Sequence, residues 1–170
     1  MQIFDDITEE EKVALAILAG INDPEIPVLS IIDLGIVRKV TICKPGEHIE
    51  VSITPTYSGC PAMDVLRVNI RVALLSHGYR EVQILNVLSP AWTTDWMSAN
   101  GKQKLKEYGI APPMNAAGSP AGLFQQPAAV TCPLCESTNT FMISEFGSTS
   151  CKALYQCKDC KEPFDVFKCH

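Results

Sequence analysis

The sequence predicts an α+β protein: a small α/β sandwich, with helices on a mixed sheet, followed by a β-rich ribbon held by cysteines. Three observations carry that expectation. Helical and strand periodicities alternate through the first 110 residues in the order helix, hairpin, helix, strand. From 111 to 127 the composition shifts to Pro, Ala, Gly, Ser and Gln, the signature of a linker. Six of the eight cysteines then crowd into the last 39 residues, four of them as two C-x-x-C pairs. The expected organisation is a domain at 1–110, a linker at 111–127 and a ribbon at 128–170.

The elements follow in order. Thr8 with Glu11 three residues later is a capping-box pattern, and Val13, Ala14, Ile17, Leu18 and Ile21 fall on one helical face. Gly20 and Asn22 end that helix, and the prolines of Asp23-Pro24-Glu25-Ile26-Pro27 forbid its continuation. Residues 36–42 and 48–54 read as strands around a Lys44-Pro45-Gly46-Glu47 turn. In the second, Ile49, Val51 and Ile53 alternate with polar residues, so one face is expected in the core. Ala62, Val65, Leu66, Ile70, Ala73 and Leu74 form the stripe of a second helix, which His77-Gly78 closes. Residues 81–88 give a third strand, and residues 98–108 a short last helix.

Cys132-Pro133-Leu134-Cys135 and Cys157-Lys158-Asp159-Cys160 are the strongest chemical signal. Each pair puts two thiolates on a tight turn, and four thiolates complete the tetrahedral shell that zinc prefers. The 21 residues between the pairs fit a β-hairpin. A module of this size buries too little surface to fold alone, so a structural zinc is expected to supply much of its stability. An iron–sulfur cluster on the same cysteines is the alternative. Cys151, Cys169 and His170 are further candidate ligands.

Cys60 is the second signal. Gly59 permits a sharp turn, and Pro61 suits the first position of the following helix. Cys60 then falls at the N-cap, where the helix dipole favours negative charge and a lowered thiol pKa. The competing reading is a small buried hydrophobe. Asp23 and Glu25, around a proline, suit either metal ligation or an ordinary turn. Trp92 and Trp96 are expected to pack a loop against the core.

Charge and composition exclude several classes. Seven acids in residues 1–27 face the single base Lys12, the pI is near 5.2, and no basic stripe suggests a nucleic-acid partner. No apolar run reaches the length of a membrane span. The N-terminus lacks the basic start and apolar core of a signal peptide. With paired cysteines better suited to metal than to disulfides, the expected compartment is the reducing cytoplasm.

Three blocks resemble signatures of a known family. Asp23-Pro24-Glu25-Ile26-Pro27-Val28, the stretch from Ser30 to Val37 and Thr54-Pro55-Thr56-Tyr57-Ser58-Gly59-Cys60-Pro61 are similar to the metal–sulfur-cluster assembly family, which includes SufT-type proteins. The stretch from Pro90 to Met97, Tyr108-Gly109-Ile110-Ala111-Pro112-Pro113 and the tail from Phe146 to His170 resemble its phenylacetate-degradation branch. The resemblance implies a maturation factor for a multicomponent phenylacetyl-CoA epoxidase, with the [2Fe–2S] reductase as client and the iron–sulfur assembly machinery as partner. It implies that Cys60 handles a transient iron–sulfur cluster or iron, with Asp23 and Glu25 as companion cluster-binding residues.

The expected role is accessory rather than enzymatic. The sequence has no evident cysteine–histidine–carboxylate set, no Glu-x-x-His pair for a di-iron centre and no glycine-rich dinucleotide loop. The alternative is a catalytic or non-catalytic component of the epoxidase itself. One cysteine cannot supply the four thiolates of a typical cluster. Either a homodimer or the client must complete the shell.

Overall fold

A computed structural model describes residues 7–57, 59–113 and 130–168. The chain divides into two compact units, Met1–Gly101 and Lys102–His170.

The first unit opens with α1 (Glu9–Ala19), whose start is the expected capping box. The Thr8 N–H donates to Glu11 Oε2 at 2.8 Å and the Glu11 N–H to Thr8 Oγ1 at 3.2 Å, so two orphan donors are satisfied reciprocally. Ala14 and Leu18 are fully buried, but Val13 faces solvent, so the core stripe of α1 is narrower than its apolar residues suggest. Strands β1 (Val37–Lys44), β2 (His48–Ile53) and β3 (Glu81–Asn86) form a sheet with β2 in the middle. β1 and β2 are an antiparallel hairpin with Val40 opposite Val51. β2 and β3 are parallel, Ile49 opposite Val82, because α2 (Ala62–Ser76) crosses between them. The sheet is therefore mixed.

Ile49, Val51 and Ile53 are fully buried as expected. Ser52 and Thr54 are buried as well, so the end of β2 is covered on both faces. In α2 the core side is Ala62, Met63, Leu66, Ile70 and Leu74, while Val65 lies on the opposite, exposed face. A loop after β3 packs as expected. Trp92 is buried and donates its indole N–H to the Leu34 carbonyl at 2.9 Å, and Arg38 lies 3.3 Å from the centre of the Trp96 ring. Gly35 permits this closure. Its φ is +68°, and a Cβ there would meet the Trp96 carbonyl oxygen at 2.4 Å. The division between units falls within α3 (Ala99–Glu107).

The second unit is a four-stranded sheet ordered β4-β7-β6-β5, from β4 (Ile110–Ala111), β5 (Thr140–Ser144), β6 (Lys152–Cys157) and β7 (Pro163–Phe167). β5 and β6 are the antiparallel hairpin expected between the cysteine pairs. β7 adds on β6 antiparallel, and β4 adds on β7 parallel. Ala111 is buried in this sheet's core, beside Val130, Ala153, Tyr155, Phe164 and Val166. Residues 114–127 of the expected linker lie outside the described residues.

Candidate functional site

The four paired cysteines converge. The sulfurs of Cys132, Cys135, Cys157 and Cys160 all lie within 4.8 Å of one another. Cys132 and Cys160 are 3.9 Å apart, Cys135 and Cys157 3.5 Å. A tetrahedral ion with sulfur bonds of ~2.3 Å requires sulfurs separated by about 3.8 Å, so this donor set fits one small cation.

Two matching turns build the cage. In the first, the Cys132 N–H bonds the carbonyl five residues on, Ser137, at 2.9 Å. In the second, the Cys157 N–H bonds the carbonyl five residues on, Glu162, at 3.0 Å. Glu136 and Lys161, each fourth after the first cysteine of its turn, both take positive φ, 62° and 68°. Left-handed backbone at a non-glycine residue costs of order 1 kcal/mol and persists where the surroundings enforce it. Asp159 ties the turns together, accepting from Ser137 Oγ at 2.5 Å and from Asn139 Nδ2 at 2.8 Å.

The charges give the same account. Backbone N–H groups, first that of Cys160, draw the Cys157 thiol down to about 7. The Glu162 N–H favours the Cys160 thiolate, but burial and crowding by Cys135, Cys157 and Cys132 push that thiol up to about 12. Four sulfurs this close cannot all ionise without a cation between them. Cys151, a candidate ligand by sequence, is buried outside this group and contacts Thr149 Oγ1 at 3.0 Å. Cys169 and His170 lie outside the described residues.

Cys60 stands in a different setting. Gly59 takes φ +82°, the expected turn. The helix begins one residue later than expected: Pro61 has helical dihedrals and occupies the cap position, and the Cys60 carbonyl accepts from the Met63 N–H at 3.3 Å. The thiol is half-buried, and burial raises its pKa. The Ala62 N–H and the Tyr57 side chain bond the sulfur and oppose that rise, while the carboxylates of Glu25 and Asp23 add to it. The lowered pKa expected from the helix terminus is thus overturned: desolvation outweighs the N–H groups.

The Asp23 loop acts on Cys60 through its charge. Asp23 is buried, and its Oδ1 accepts from the N–H groups of Glu25 at 2.8 Å and Ile26 at 2.9 Å. That is the turn chemistry of Asp before Pro. Its carboxylate both shapes the loop and acts on the Cys60 sulfur through space. Among the described residues, Asp23, Glu25 and Cys60 are not spaced closely enough to hold one ion together. Tyr57 has no motif of its own to mark it, although its place three residues before the cysteine is the signal that could have found it.

Residues 11–85 match the iron–sulfur cluster assembly protein family, and residues 116–168 match the PaaD zinc beta ribbon domain. A protein of Escherichia coli K12, named as a putative component of 1,2-phenylacetyl-CoA epoxidase, is 53% identical over 154 residues, 91% of this chain and 90% of that protein. The chain belongs to the PaaD family. Two solved structures resemble part of this PaaD-family chain. The DUF59 domain of unknown function from Bacillus anthracis is 27% identical, with a TM-score of 0.52, over 56% of this chain and 90% of that one. A conserved hypothetical protein from Thermotoga maritima is 25% identical, with a TM-score of 0.48, over 59% and 95%. In PaaD-family terms, Cys60, Asp23 and Glu25 belong to the assembly-protein segment and the four clustered cysteines to the ribbon segment. None of the described helices is long and apolar enough to cross a membrane.

Proposed function

We propose that this chain is an iron–sulfur cluster assembly or transfer factor that matures a phenylacetyl-CoA epoxidase, with the [2Fe–2S] reductase component as its client. Cys60 is the cargo ligand for a transient cluster or for iron. Asp23 and Glu25 are its cluster-binding companions, supplying negative charge beside a cationic cargo. The observation that carries the reading is one half-buried thiol, bonded by the Tyr57 side chain and within electrostatic reach of Glu25 and Asp23, in a segment that matches iron–sulfur assembly proteins. A thiol kept protonated by burial and neighbouring carboxylates binds metal reversibly, which suits a carrier that must release what it holds. The ribbon carries a structural zinc on Cys132, Cys135, Cys157 and Cys160. A single tetrahedral ion matches their spacing, whereas a cluster would spread the four sulfurs over more than one iron. The protein works in the cytoplasm, with the assembly machinery upstream and the reductase downstream.

A second reading is favoured by the name of the Escherichia coli relative, which places that protein in the epoxidase itself. Here the chain stays in the complex instead of leaving after maturation. Transfer assays separate the two. Chain loaded with iron and sulfide is mixed with cluster-free reductase, and the reductase's [2Fe–2S] absorption is followed. With iron and sulfide resupplied to the mixture, carrier action predicts that substoichiometric chain loads several reductases, and that Cys60→Ala loads none. Reductase activation that needs one retained chain per complex, regardless of Cys60, would favour the resident-component reading.

A further inference from the structure

α2 carries a second apolar face that the fold does not use. Val65, Val68, Val72 and Leu75 are 48%, 61%, 57% and 43% exposed. Their spacing of three, four and three residues places them in one stripe, opposite the core residues Leu66, Ile70 and Leu74. That is the a/d pattern of a coiled-coil seam, with β-branched valine at both a positions and leucine at one d position, a combination that in parallel seams favours two strands. Single exposed apolar residues need no explanation, but an ordered stripe along the helix does.

We infer that this stripe is the surface on which two copies of the chain pair, their α2 helices side by side and parallel. The inference deepens the carrier reading of Cys60 and rests on it. Cys60 lies two residues before α2. A two-fold axis parallel to the helices brings both thiols to the same end, at helix separations of about 10 Å. Antiparallel pairing would hold them more than ~20 Å apart, the length of the helix. One chain supplies too few thiolates for a cluster, and the parallel pair doubles the supply at one place. The flanks are compatible. Asp64 and Arg71 border the stripe on one side, Asn69 and Ser76 on the other. In the parallel arrangement each charged residue meets an uncharged amide or hydroxyl of the other copy, and no like charges face each other.

The size of the seam sets its strength. The exposed parts of four side chains amount to a few hundred Å² per copy, below the ~800 Å² typical of stable pairs. Pairing is therefore weak alone and tightened by cargo held between the two Cys60 sulfurs. This is mass-action coupling: whatever binds only the pair stabilises the pair.

The test uses the full chain. Val68→Cys sits at the centre of the seam, and Arg67→Cys sits one residue off it. Under mild oxidation, disulfide-linked dimer is expected at least tenfold more with Val68→Cys than with Arg67→Cys. Equal crosslinking at both positions overturns the inference. So does a crosslink that forms only when Val65→Cys and Leu75→Cys chains are mixed, because that requires antiparallel helices. In parallel, wild type and Val68→Asp are incubated anaerobically with ferrous iron and sulfide and weighed intact. The expected result is an iron–sulfide adduct on dimeric wild type and at least tenfold less on a monomeric Val68→Asp. Equal loading on monomeric Val68→Asp overturns the pairing and leaves the carrier reading standing. Selective crosslinking with no iron–sulfide uptake by wild type does the reverse.

Discussion

The two cysteine sites of this chain solve opposite problems. In the second unit four sulfurs face one another across two matched turns, and every coordination position is filled by the protein. Such a shell keeps its metal and lends the metal's binding energy to the fold. In the first unit one half-buried thiol sits at a helix start, held by a backbone N–H and a tyrosine and opposed by two carboxylates. Its fold rests on a conventional core of fully buried Leu18, Ile49, Ile53, Leu66 and Ile70, so it has no structural need of a metal. On the proposed function, ligand number divides the labour: four sulfurs retain, one sulfur exchanges.

The sharpest way to break the comparison is to take away the metal. Cys157→Ala, or a strong chelator, is expected to unfold the ribbon, since structural zinc contributes on the order of 10 kcal/mol in modules of this size. Amide exchange should lose protection across β5–β7 and keep it in β1–β3. Loss of protection in both units together would end the division proposed here.

A smaller effect comes from the first unit's own packing. Gly35→Ala combines a positive φ with a backbone clash against Trp96, and should destabilise that unit by about 2–4 kcal/mol. Thermal unfolding would register the loss, with the ribbon's metal content unchanged. Thr8→Ala removes the α1 capping box and should cost about 1 kcal/mol in the same measurement.

The finest prediction concerns Cys60 in metal-free protein. Its pKa is raised in the fold, so the neutral thiol favours the folded state below the ordinary thiol pKa. That contribution is lost as pH climbs through the raised value. Alkylation of Cys60 by iodoacetamide at pH 7–8 should be slower than that of an unhindered thiol and should accelerate as pH rises. Glu25→Gln removes a carboxylate that raises the pKa, so it should speed the reaction a few-fold, while Tyr57→Phe should slow it. An unchanged rate in Glu25→Gln would mean that its carboxylate does not act on Cys60.

Much of this was legible in the sequence because it is written in local spacing. The capping box at Thr8 and Glu11, the hairpin at 44–47 and the glycine closing α2 are short-range devices, and the structure contains them. The two C-x-x-C pairs declared their convergence because their chemistry leaves few alternatives. What the sequence concealed depends on tertiary neighbours. Val13 and Val65 share the periodicity of core residues, and only the packing of α1 and α2 on the sheet reveals that they face outward. Ser52 and Thr54 look like an exposed strand face, yet the elements covering the end of β2 bury them. At Cys60 the helix terminus argued for a lowered pKa, and burial with two carboxylates reversed the sign. Those carboxylates come from residues more than thirty positions earlier, which no local rule reports.

The measurement that tests the account most directly is anaerobic native mass spectrometry of wild type and Cys60→Ala after incubation with ferrous iron and sulfide. One zinc per chain in both proteins, with an iron–sulfide adduct only in wild type, is the predicted result. An adduct that displaces zinc in both proteins, or that forms equally without Cys60, would contradict the division between a retaining ribbon and an exchanging thiol.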